Sequence, residues 1–221
     1  MEEKNAVSTY KTVLEGGAGE IEEKKSRFIA TVRPVSSEEE ALAFIEEMKK
    51  KYWDARHNCS AYTIGRRMEL MRASDDGEPQ GTAGRPMLDV LTGQGICNAA
   101  VVVTRYFGGV LLGTGGLVRA YSAAVQAGLA ASTVVEKIYG AQLDIRVEYT
   151  DLGKVQYIIG QNKIPMLGSE YADGVTLHVI LPAEEEQRFA KNLADATSGR
   201  AVIEKTGSAY YCEAGGKYLL D

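Results

Sequence analysis

The sequence predicts an α+β protein of two domains, and three observations carry that prediction. Two glycine-dense loops, within residues 75–122, flank one apolar β-branched run, Ala99 to Thr104, that reads as a buried strand. Lysine is absent from the middle of the chain: none of the 13 lies between Tyr52 and Glu136, where all positive charge is arginine. After Ile138 the glycine loops give way to a regular β-α-β-β-α-β pattern, the ferredoxin-like split unit. The change of character around residues 133–139 predicts domains at 1–135 and 136–221.

In the first domain, Ser8 to Leu14 reads as a strand that Gly16, Gly17 and Gly19 break, and Phe28 to Val32 as a second strand stopped near Pro34. Ser37 and Glu40 are spaced as a capping box. Behind them Ala41, Leu42, Ile45, Met48 and Tyr52 share a helical face, acidic residues leading and lysines trailing as the helix dipole favours. Strands are expected at Cys59 to Ile64 and Met68 to Met71, and a short helix around Pro86 to Leu91. After the central strand, a helix starts near Thr114 or Gly115 with Leu117, Val118, Tyr121, Val125 and Leu129 on its apolar face. In the second domain, strands are expected at Ala141 to Tyr149, Lys163 to Tyr171, Val175 to Leu181 and Ala201 to Tyr211. Helices are expected around Leu152 to Ile159 and Glu184 to Ala196, and Asp173-Gly174 is a hairpin signal.

Bulk properties narrow the function classes. With 221 residues, 45% hydrophobic and 25% charged, the chain has an ordinary globular composition. A net charge of −5 gives no whole-protein argument for nucleic acid. The three cysteines form no CxxC pair and their odd count suggests no disulfide framework. The acidic, polar N-terminus predicts no signal peptide, and no apolar run is long enough to span a bilayer; a cytoplasmic location without membrane partners is expected.

The strongest anion-binding candidate is the second loop, RYFGGVLLGTGGLVRAYS. Gly115 and Gly116 stand where a helix starts, so free amides and the dipole favour a negative group there. Gly108 and Gly109 open the loop, Arg105 precedes it and Arg119 follows within about a turn; Arg56 and Arg85 complete the candidate face. Arginine offers a planar fork suited to phosphate or carboxylate. The spacing matches neither the dinucleotide fingerprint nor the Walker loop, and the alternative is that the glycines serve packing and the arginines pair with internal carboxylates. The first loop offers Asp75, Asp76 and Glu78, with His57 upstream, for acid–base or metal chemistry, against turn capping and pairing with arginine. The favoured reading there is structural, since no metal-binding spacing appears; no metal or cofactor is assigned. Cys59, two residues after His57, is a conceivable but poorly placed nucleophile partner. The two loops are expected to converge, because they flank one region of sheet.

The stretches ARHNCSAY (55–62), DDGEPQGTAGRPMLDVL (75–91) and VTRYFGGVLLGTGGLVRAYS (103–122) closely resemble the YigZ/IMPACT family, over roughly residues 15–130. The C-terminal half is similar to the extra domain of bacterial members. One departure is Leu111, where many relatives carry a lysine. The resemblance implies an N-terminal mixed sheet backed by helices, like domain IV of elongation factor G and a small-subunit ribosomal protein. It implies a C-terminal domain like domain V of that factor. It also implies a translation-associated protein that contacts RNA, the ribosome or a protein of the translation machinery. Eukaryotic relatives regulate translation under amino-acid stress, partly through an added domain that this sequence lacks. Some bacterial relatives carry a proline-dipeptidase label, so the competing expectation is a metal-assisted hydrolase, or another enzyme acting on a small phosphorylated or carboxylated substrate. A purely protein-binding regulator is the third.

Overall fold

The computed structural model describes residues 6–221 and divides into two compact units. One is Tyr10–Glu136; the other is Lys137–Asp221 together with residues 6–9.

The first unit is built on a five-stranded sheet of β2 (Ala18–Glu23), β3 (Ser26–Pro34), β7 (Ala99–Tyr106), β4 (His57–Ile64) and β5 (Leu70–Ser74), in that spatial order. Each neighbouring pair is antiparallel. A parallel pairing joins β1 (Thr9–Glu15) to the two-residue β6 (Ile96–Cys97). Helix α1 (Glu38–Lys51) covers one face of the five-stranded sheet, packing Phe44, Ile45 and Met48 against Ala100 and Val102. Helices α2 (Gly84–Gly93) and α3 (Thr114–Ala130) cover the other, packing Met87, Leu91, Tyr121 and Val125 against Val101 and Val103. Burial on both faces explains why β7 is a continuous apolar run without alternation.

The cap of α1 is half as expected. Ser37 Oγ accepts the Glu40 amide at 3.3 Å. The returning Glu40 carboxylate, however, takes the Ser36 amide at 2.6 Å and the Ser36 hydroxyl at 2.9 Å, one residue earlier than a capping box requires. The glycines after β1 do not simply break structure, because β2 follows at once and contains Gly19. A Cβ on Gly19 would lie 2.4 Å from the backbone of Ala127, so this glycine lets α3 lie close against β2. The strand expected at Met68–Met71 is displaced to Leu70–Ser74, behind a left-handed residue at Met68.

The second unit runs β8 (Thr133–Val147), α4 (Tyr149–Gln161), β9 (Met166–Tyr171), β10 (Val175–Pro182), α5 (Glu186–Thr197), β11 (Val202–Ala214), with an unpredicted final strand β12 (Lys217–Leu220). The antiparallel pairings give the order β12-β11-β8-β10-β9. Without β12 this is a ferredoxin-like sheet, with its core formed by Leu143, Ile145, Leu177, Val179, Val155, Phe189 and Leu193. The division between the units falls inside β8, which starts eight residues before the strand expected at Ala141.

Candidate functional site

Strand register assembles the candidate site. In the antiparallel β4–β7 pair His57 stands opposite Arg105, so the ARHN and RYF stretches meet at one end of the sheet. The segment before β4 is tethered there as well, since Tyr106 donates its hydroxyl to Asp54 at 2.8 Å. A cavity of about 190 Å³ opens at this end, lined by Arg56, His57, Arg105, Phe107 and Leu111.

Arg105 occupies a different place from the one expected of an anion ligand. It is buried, and its Nη1 donates to Glu78 Oε1 at 2.6 Å. Its guanidinium carbon lies 5.4 Å from the Phe28 ring centre and 5.6 Å from that of Phe107. The same Glu78 oxygen accepts the Tyr121 hydroxyl at 2.8 Å, and the Cys59 thiol reaches that hydroxyl at 3.3 Å. Glu78 therefore ties the first loop to Arg105 and Tyr121, which bracket the second. Arg105 Nε is buried without a hydrogen-bond partner. This arginine's charge is answered by an internal carboxylate, the alternative that the sequence left open beside anion binding. Burial pushes the Tyr121 hydroxyl and the Cys59 thiol well above their ordinary values, so neither is an ionised group near neutrality.

The acids of the first loop are also committed. The Asp75 carboxylate accepts the amides of Gly81, Ala83 and Gly84 at 2.8, 3.0 and 2.8 Å, holding the loop and the start of α2. Burial alone would raise its carboxyl; the three amides outweigh that and hold it below the ordinary range. Asp76 accepts the Asn58 amide at 2.7 Å, and Lys49 Nζ lies 3.6 Å from its other oxygen. His57 Nδ1 lies 2.9 Å from the Asp76 carbonyl oxygen, which only accepts, so Nδ1 carries the proton of that bond. Cys59 donates to the Asp75 carbonyl at 3.0 Å, so His57 and Cys59 each bond loop backbone. Among the described residues no group of three or more His, Cys, Asp and Glu side chains is arranged to hold a metal ion.

The remaining candidates separate into packing and exposed groups. Gly108 is a packing glycine: a Cβ there would lie 2.0 Å from the Lys25 backbone, and its amide donates to Ser26 Oγ at 3.1 Å. Arg85 is exposed, paired with Asp89 at 2.8 Å, and is not among the residues lining the cavity. Gly109 adopts φ 84° in open space. The residue at the N-cap of α3 is Gly113, which offers no side-chain cap, so Gly115 and Gly116 lie in an uncapped first turn. Arg119 folds back over that turn, its Nη1 3.6 Å from where a Cβ on Gly115 would be. Arg56 and Arg119 are exposed and, among the described residues, form no ion pair. They are the available cations of the set. Phe107, half exposed, and Leu111, largely exposed, complete the cavity; both sit inside a quoted motif, but an apolar residue in a glycine loop gives no sign of exposure. Tyr121 was legible only as an apolar helix position.

Comparison with known proteins adds the relationship. Residues 24–129 match the Impact N-terminal domain, and residues 145–200 match a domain of unknown function, DUF1949. The chain is 41% identical over 205 residues to the IMPACT family member YvyE of Bacillus subtilis, covering 93% of this chain and 94% of that one. It is 41% identical over 178 residues to the IMPACT family member YigZ of Escherichia coli, covering 80% and 87%. Mouse Protein IMPACT matches 98 residues at 35% identity, 42% of this chain and 30% of that one. A solved structure described as a hypothetical protein aligns with TM-score 0.56 and 35% identity, covering 91% of this chain and 99% of the other.

Proposed function

The chain belongs to the IMPACT family, and on that premise we propose that it is a translation-associated RNA-binding protein. Its contact face is the end of the N-terminal sheet where Arg56, Arg119 and the uncapped start of α3 are presented. The observation that carries this reading is the exposure of two arginines with no internal carboxylate, one of them folded over free helix amides. Two exposed forks, one of them lying over a helix N-terminus, suit phosphate. The likeness to elongation-factor domains, drawn from the sequence motifs, supports the translation setting. The cytoplasm is the corresponding location; no helix among the described residues is long and apolar enough to cross a membrane.

The hydrolase alternative draws less support. His57, Asp75, Asp76 and Glu78 each serve the loop's own structure. Binding of purified protein to ribosomes and tRNA across a salt series, with the Arg56→Ala/Arg119→Ala variant alongside, tests the proposal. Arg105→Ala is the wrong probe, because it strands Glu78.

A further inference from the structure

We propose that the cavity beside Phe107 receives one unpaired nucleotide base, so that the RNA bound by this face is single-stranded; this rests on the RNA-binding reading above. Four observations lead there.

The first is size. A cavity of about 190 Å³ is smaller than the roughly 300–1,000 Å³ usual for a whole small-molecule ligand. It suits one group of a longer ligand, held elsewhere by other contacts.

The second is its wall. Phe107 is 50% exposed, and the Arg105 guanidinium lies against its ring at 5.6 Å. That guanidinium is fixed in turn by Glu78 and Phe28, so the ring rests on a rigid backing. A braced, half-open aromatic ring is a stacking platform, and base stacking is tolerant of sequence.

The third is the apolar exposure around it. Leu111 is 82% exposed and Val110 43%, while Trp53, three residues before Arg56, is 82% exposed. A single exposed apolar side chain is ordinary; several in two short segments that meet at one sheet end mark a binding surface.

The fourth is the rim. Arg56 lines the cavity, and Arg119 stands over the uncapped start of α3 in the same domain. An exposed arginine on the wall of an aromatic pocket, with a second over the start of α3, fits a phosphate chain carrying bases better than an apolar peptide. A base within a duplex has no free face to offer, so the pocket discriminates strandedness while the arginines do not.

The test compares a fluorescent oligouridylate with a perfectly paired RNA hairpin of equal phosphate count, at low salt. The proteins are the full chain and its Phe107→Ala, Phe107→Leu and Phe107→Trp variants, each checked for native unfolding temperature. Leucine keeps the packing on Arg105 and removes the aromatic face; tryptophan keeps the face. The expected result is a single-strand preference that alanine and leucine each reduce about tenfold and tryptophan retains. Equal affinity for the two RNAs, or a loss with alanine that leucine restores, overturns the base pocket. If both RNAs bind equally and Arg56→Ala/Arg119→Ala weakens both, the phosphate face stands and the pocket inference alone falls. If neither RNA nor ribosome binds, both fall, and an apolar peptide becomes the occupant to try.

Discussion

Arg105 and Glu78 form a buried ion pair, 2.6 Å apart, between the end of β7 and the first glycine loop. Each charge compensates the other away from water. Removing one partner leaves the other buried and uncompensated, which costs about 3–5 kcal/mol. Arg105→Ala and Glu78→Ala are each expected to lower urea-unfolding stability by that order. The apolar double variant Arg105→Met/Glu78→Leu is expected to lose much less than the two singles combined. A double-variant loss equal to their sum would show that the pair is not coupled.

Asp75 holds the first loop through three backbone amides. Asp75→Asn removes the charge that these amides answer and is expected to cost about 1–3 kcal/mol at neutral pH. The sign with pH follows from the depressed carboxyl. Its contribution is present above the unfolded carboxylate value, about 3.9, and is lost as pH falls through the lower folded value. The gap between wild type and variant in urea unfolding should therefore close on going from neutral to strongly acidic pH. A constant gap would assign the effect to something other than ionisation.

Two loop glycines separate packing from binding. Gly108→Ala drives a Cβ into the Lys25 backbone and is expected to destabilise by about 1–3 kcal/mol. Gly115→Ala meets only the tip of Arg119 at 3.6 Å and is expected to change stability by less than about 1 kcal/mol. Thermal unfolding of the two variants checks the ranking.

In the second unit His178 stands opposite Asp144, with Nδ1 2.6 Å from the carboxylate. That hydrogen bond raises the imidazole above its ordinary value. The pair's stabilisation is fully present below the unfolded histidine value, about 6.5, and is lost as pH rises through the higher folded value. His178→Gln should flatten this decline. The effect is modest, below about 1 kcal/mol, as for other partly exposed pairs. Titration of the His178 ring signals by NMR should give a midpoint above 6.5; a lower midpoint contradicts the pairing.

All three cysteines are buried, and burial raises each thiol. Native protein should react slowly with a thiol reagent and unfolded protein at once. Fast native reaction at Cys59 would reopen a nucleophilic role for it.

Much of the fold was legible because its elements carry strong local signals. The α1 stripe behind Ser37, the β7 run and the alternation after Ile138 each specify an element. What escaped depended on partners distant in sequence. β2 is hidden because its one glycine, Gly19, answers to Ala127 of α3, more than a hundred residues later. β12 is the exception: it pairs with the adjacent β11 across Gly215-Gly216, a local hairpin turn. In the site, composition pointed to arginine and glycine, but only tertiary contacts distinguish Arg105, held by Glu78, from the exposed Arg56 and Arg119. The importance of Phe107 is a matter of exposure, which an apolar letter in a sequence does not carry.

The salt dependence of ribosome and tRNA affinity tests the central claim most directly. For wild type, log affinity should fall linearly with log salt, and Arg56→Ala/Arg119→Ala should weaken binding and reduce the slope by about two, one per lost phosphate contact. An unchanged slope and affinity in that variant, at native stability, would contradict the assignment of this face to RNA.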